Sequence, residues 1–293
     1  MNIRSSSSAL ARVIAFVLPT VFGALPALAQ GPVAGDSPKF GWRRQATGML
    51  NLSQSYYDNW VKGGTDALTW ELNLQGAADR EEETYLWENK AKVVYGRTKL
   101  GTAGSRKASD EWNLESIYTR KLGTWVNPFA SALGRSQFTA GYAYDSVGTR
   151  DLTSEFFDPA YFFQTVGIGV SPVKDLTERL GFTLKETISA DHGYADDAES
   201  ADYEDANLEY GLSSVTEYQF ALMQNILATT RLEVFANFEG WKDVDGRWEN
   251  KITAKVNRLV NANFELDMLY DKNQSESAQT RQSLSIGIAF LAL

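Results

Sequence analysis

Four lysines and four carboxylates in this chain carry the spacing of β-strand faces. Lys90 and Lys92 lie two apart, Glu111 and Glu115 four apart, Lys251 and Lys255 four apart, and Glu265 and Asp267 two apart. Side chains at even separations share one face of a strand. Each pair would therefore present a single sign of charge, and strands adjacent in sequence would match positive with negative in cross-strand pairs. Facing a lumen, such rows would select solutes by charge. Equally, they could close the lumen with a salt-bridge network, and composition leaves both outcomes open.

Residues suited to bond-making chemistry are sparse. The chain holds one histidine, His192, in Asp191-His192-Gly193, and Tyr194 rather than a serine occupies the position two beyond it. A nucleophilic serine needs a base beside it. A lone histidine in a Gly- and Asp-rich loop is a solvated side chain, so no catalytic residue is assigned. With no cysteine and one histidine, a zinc site has no ligand set. Residues 191–205 hold Asp191, Asp196, Asp197, Glu199, Asp202, Glu204 and Asp205. Oxygen ligands of this kind suit divalent cations, but the D-x-[DN]-x-[DN]-G cadence is missing, and the segment reads as a solvated acidic loop. Neither metal nor cofactor is expected. The segment Asn59-Trp60-Val61-Lys62-Gly63-Gly64 is the most motif-like. Trp60 would serve either as a ligand platform or as a cap on a hairpin whose Gly63 and Gly64 supply positive φ. The structural reading is preferred.

The elements that must position these residues follow from a period-2 alternation of apolar and polar side chains. Leu284, Ile286, Ile288 and Phe290 alternate with Ser285, Gly287 and Ala289; Phe264, Leu266, Met268 and Tyr270 alternate with Asn263, Glu265, Asp267 and Leu269. About twelve strands are expected, at roughly 47–57, 65–79, 83–98, 109–121, 125–139, 160–172, 177–191, 206–221, 225–241, 247–259, 262–272 and 280–291. The segment 125–139 is less regular because Pro128 and Arg135 interrupt it, and Glu186 falls on an apolar face between Leu184 and Ile188. Connections expected at 58–64, 99–108, 140–159, 192–205, 242–246 and 273–279 are longer than those between them. Short turns on one side and long loops on the other, with tyrosines and tryptophans gathered toward strand ends, are the pattern of an outer-membrane barrel. The expectation is an all-β, antiparallel, up-and-down transmembrane barrel of about twelve strands.

The first 29 residues read as an export signal: Arg4 in a polar start, an apolar run from Val13 to Leu25, and Ala27-Leu28-Ala29 before Gln30. Residues 30–45 read as a flexible periplasmic lead-in and 46–293 as the barrel. The net charge of −9 argues against nucleic-acid binding.

Several motifs resemble a family of uncharacterised Gram-negative proteins, a domain of unknown function expected to form outer-membrane barrels. They are Gly41-Trp42-Arg43-Arg44, Leu50-Asn51-Leu52-Ser53-Gln54-Ser55, Asn59-Trp60-x-x-Gly63-Gly64, Trp87-Glu88-Asn89 with Tyr95-Gly96, Pro159-Ala160-Tyr161 with Gly167-Ile168-Gly169, and Val256-Asn257 with Leu269-Tyr270-Asp271. The resemblance implies a barrel fold in an outer membrane; a barrel placed there is expected to contact lipid and lipopolysaccharide and to pass through barrel assembly machinery. It implies no activity, ligand or catalytic residue. Such chains end on an aromatic residue, whereas this one ends Phe290-Leu291-Ala292-Leu293. The resulting expectation is a narrow passive pore or an envelope structural protein without catalysis. The alternatives are a lipid-modifying enzyme of the outer membrane and a ligand-binding barrel that uses its outside loops.

Overall fold

Twelve of the strands close on themselves. The computed structural model describes residues 40–57, 65–102, 104–123, 125–145, 148–190, 192–195, 204–239, 244–271, 273–275 and 277–292. The expected export signal and the Trp60-Gly63-Gly64 loop lie outside them. In chain order the strands are β1 (Gly41–Ser55), β2 (Ala67–Glu81), β3 (Tyr85–Leu100), β4 (Ser105–Arg120), β5 (Val126–Ser136), β6 (Gly141–Tyr144), β7 (Arg150–Ser154), β8 (Ala160–Val173), β9 (Leu176–Ile188), β10 (Ala206–Met223), β11 (Ile226–Asn237), β12 (Val244–Lys255), β13 (Val260–Tyr270) and β14 (Gln279–Ala292). All but β6 and β7 form one closed barrel in which each strand pairs with the next barrel strand in sequence and β14 returns to β1. Every barrel strand thereby has a hydrogen-bonded neighbour on each side, so the sheet has no open edge strand, as a bilayer demands.

The turn end is built from tight hairpins. Lys174-Asp175 joins β8 to β9 and Gln224-Asn225 joins β10 to β11. Asp175 takes a left-handed φ of 62°, which the short polar side chain of aspartate tolerates. Pro128 lies beyond Phe129, the last β5 residue in the ladder with β4, so that ladder needs no N–H from it.

The other end carries the longer connections, between β1 and β2, β5 and β8, and β9 and β10. Two expectations change here. The β3–β4 connection is only residues 101–104, because both strands extend into the segment read as a loop. The 140–159 segment contains its own hairpin, β6–β7. Asp110 fixes the base of that hairpin by accepting from the Phe138 and Thr139 amides at 2.9 and 2.8 Å. Strand β1 begins at Gly41, inside the stretch read as a lead-in, and pairs from there with Glu81 of β2.

The alternation sorts the two faces. Leu284, Ile286, Ile288 and Phe290 point outward and are heavily exposed, Leu284 at 70%. Val166, Ile168, Leu180, Phe182, Leu208, Tyr210 and Leu212 continue the apolar exterior. Rings mark both rims. Trp42 with Trp87 and Tyr85 with Tyr118 gather at the turn end, at centroid separations of 5.8 and 5.4 Å. Trp70 with Tyr95 sits toward the loop end at 5.9 Å. Such rings suit a water–lipid boundary, apolar in body and polar at the tip. Glu186 pairs in register with Phe162 and Leu208 only two residues from the loop end of β9, at a rim rather than at mid-height.

Candidate functional site: the charged lumen

The inward positions carry charge in three tiers. Nearest the turns, Arg231 of β11 is surrounded by glutamates. It donates to both oxygens of Glu115 at 3.0 and 2.8 Å, to Glu217 at 2.5 Å and to Glu233 at 2.7 Å. Glu217 also takes Arg179 at 2.8 Å and Lys90 at 3.3 Å. In the middle tier Arg247 of β12 donates to Glu111 at 2.6 Å and to Glu249 at 2.8 Å. Lys92 lies 3.3 Å from Glu111 and 3.4 Å from Glu249, and Arg135 donates to Glu233 at 2.5 Å. Toward the loop end Lys185, 2% exposed, lies 2.8 Å from Glu209, 2.5 Å from Asp245 and 3.9 Å from Asp271.

Most of these pairs are not between neighbouring strands. Glu111 on β4 and Arg247 on β12 are six strands apart around the circuit, the greatest separation twelve strands allow. Glu115 to Arg231, Lys90 to Glu217 and Lys92 to Glu249 each span five. Opposite walls therefore touch through their side chains, and the ion pairs run across the lumen. Elsewhere small amides fill it: Asn263 donates to Asn51 at 3.3 Å, and Asn51 to Glu71 at 3.1 Å. Gly287 leaves room between them: a Cβ there would come within 2.7 Å of the amide ends of both Asn263 and Asn51, which would have to shift. Removing charges from water is costly unless their partners are close and well aligned, and Arg231 meets that condition with every nitrogen of its guanidinium engaged.

The candidates named from sequence divide on this geometry. Lys90, Lys92, Glu111 and Glu115 all enter the network. Lys90 and Glu115 are register partners as expected, yet each binds a residue from the far wall instead of the other. Lys251 and Glu265 form the expected cross-strand pair at 2.8 Å. Asp267 binds Arg281 of β14 at 2.7 Å, not a β12 lysine. Lys255 does not join these carboxylates: it ends β12 at the turn rim, exposed and opposite Asn261. The sequence reading missed Arg231, Glu217, Arg247, Glu249, Glu233, Arg135, Arg179 and Lys185. Their signal was present as alternate-position charges, Arg231 with Glu233 and Arg247 with Glu249. Arg135, which looked like a break in its strand, points inward to Glu233.

His192 sits in the β9–β10 connection with its ring 6.4 Å from that of Tyr194. Of the acidic residues in 191–205, only Glu204 and Asp205 lie within the described residues. Among the described residues no three His, Cys, Asp or Glu side chains converge in a metal-holding group.

The family described as "Protein of unknown function (DUF3078)" matches residues 52–142, from the end of β1 through β5 to the start of β6. The resemblance read from the motifs is thus to a family of unknown function. No curated protein matches the chain significantly. Solved structures similar to it include the NanC porin, with 10% identity over 84% of this chain and 99% of that one and a TM-score of 0.41. An outer-membrane channel from Pseudomonas putida F1 has 11% identity over 89% and 100%, with a TM-score of 0.41. The translocator domain of autotransporter NalP from Neisseria meningitidis has 11% identity over 87% and 90%, with a TM-score of 0.38. The chain is a closed twelve-strand antiparallel barrel.

Proposed function

We propose that this protein is an outer-membrane barrel that acts as a narrow passive pore, held nearly closed by ion pairs across its lumen, and that it performs no catalysis. In this reading residues 1–29 direct export, the tight turns and both termini of the barrel chain face the periplasm, and the hairpin β6–β7 faces outward. The apolar exterior and its two aromatic rims support membrane placement. The observation that carries the pore reading is the contact between Glu111 and Arg247 across the full width of the barrel. A charged constriction lets ions exchange partners with the wall while excluding larger solutes, and here the wall groups are already in contact.

Conductance of the refolded protein in planar bilayers tests the proposal. The wild type is expected to show only small discrete steps. The double variant Glu111→Ala with Arg247→Ala removes one charge of each sign and shortens both side chains. It leaves Lys92 and Glu249 to pair with each other, and larger steps are expected. Wide-open conductance in the wild type would contradict the constriction. Silence in both proteins would leave an envelope structural role in place of a pore.

A further inference from the structure

On the loop side of the Arg231 tier the lumen opens into a chamber of about 240 Å³. Arg231, Glu115, Arg247 and Glu111 line its floor, and Gln137 and Gln274 line it nearer the loops. Drug-sized ligands occupy pockets of roughly 300–1,000 Å³, so this chamber suits a smaller molecule. We infer that it is a binding site for a small, uncharged, hydroxylated ring compound of about the size of one hexose.

Three features of the lining define that chemistry. First, two donors have no partner among the described residues although both are buried, the Tyr161 hydroxyl and Arg135 Nε. The two residues face each other in register on β8 and β5 and both line the chamber. Buried polar atoms are nearly always hydrogen-bonded, to protein, water or ligand, and an adjacent pair aimed into one cavity is suited to a shared acceptor oxygen. Second, Asp245 and Asp271 line the same chamber, and with Glu209 they set three carboxylates around the single ammonium of Lys185. That surplus leaves oxygens able to accept from ligand hydroxyls. Third, the rings of Phe163 and Phe235 and the side chain of Leu133 supply apolar wall. A ring bearing several hydroxyls offers acceptors, donors and C–H faces together. The lining holds six carboxylates against four cations, a net charge of −2, which disfavours a free anion. The site does not require the lumen to conduct, so its failure and that of the pore reading are separate results.

The test is ligand titration of the full-length protein, refolded in detergent, by calorimetry and saturation-transfer NMR with glucose and its anionic counterpart glucuronate. Saturable glucose binding is expected, weakened about five- to tenfold in Tyr161→Phe by loss of one hydrogen bond to the ligand. Leu133→Trp, which fills the chamber, is expected to abolish it. Binding that Tyr161→Phe leaves unchanged would mean that the orphan donors hold only water, and overturns the inference. So would tighter binding of glucuronate, or the absence of saturable glucose binding by the wild type. If Leu133→Trp does not refold, Tyr161→Phe decides alone, because it preserves the ring and its packing.

Discussion

Arg247 Nη2 lies 2.6 Å from Glu111 Oε2 although their strands stand on opposite sides of the barrel. Side chains of this length bridge the barrel only if the two walls approach closely. The contact therefore reports the shape of the lumen as well as its charge. Eight-stranded barrels are filled by their side chains, and much larger ones leave a channel. This twelve-strand barrel is filled at mid-height by long charged side chains rather than by apolar ones.

Arg231 holds three glutamates; without it Glu217 keeps Arg179 and Lys90 and Glu233 keeps Arg135, but Glu115 loses its hydrogen-bonded cation. Arg231→Ala is expected to destabilise the barrel by about 3–5 kcal/mol, the cost of breaking a buried charge pair. Lys255→Ala, at the exposed end of β12, should stay within about 0.5 kcal/mol. Urea titration of folding into lipid vesicles measures both. Equal, small effects would mean that water fills the lumen and hydrates the charges.

The exterior is tested at Ile286, half exposed on the apolar face, and at Ser285, which faces inward opposite Asn263. Ile286→Arg should cost roughly 2–4 kcal/mol if the position lies near the bilayer midplane. Ser285→Arg should cost less, because the lumen supplies carboxylates such as Glu265. The same folding titration compares them. Matching costs, or folding of the wild type without any amphiphile, would argue against membrane insertion.

Gly167 of β8 faces Gly181 of β9 in register. A Cβ on Gly167 would come within 2.0 Å of the Leu180 carbonyl oxygen. Gly167→Val is therefore expected to reduce the yield of heat-modifiable folded barrel severely. Gly76→Ala, whose added methyl meets nothing within 4 Å, should leave it unchanged. A barrel tolerant of Gly167→Val would mean that these two strands can separate locally.

Topology gives the fourth expectation. Protease added to intact cells should cleave the hairpin Gly141–Ser154 and spare the turns at Lys174-Asp175 and Gln224-Asn225, as mass mapping of the fragments would show. Cleavage at those turns with the hairpin spared would invert the orientation.

The alternation in segments such as 262–270 and 280–290 determined by itself that the chain forms strands with one lipid-type face, because a period of two has one geometric meaning. The succession of such strands with short turns between them determined an up-and-down barrel, and the paired charges marked the inward faces of β3, β4, β12 and β13. Local pattern could not reveal that 105–108 is strand rather than loop, since Ser105-Arg106-Lys107-Ala108 has no apolar member large enough to mark a lipid face. Nor could it reveal the hairpin inside 140–159, whose base is held by Asp110 of β4, outside that segment. Above all, the partners of the charges were beyond it. Sequence order limits the pairs that can be inferred to neighbouring strands, such as Lys251 with Glu265. Closure of the barrel brings β4 against β12 and β3 against β10, and only that long-range geometry turns Glu111, Arg247, Lys90 and Glu217 from rows of like charge into ties across the lumen.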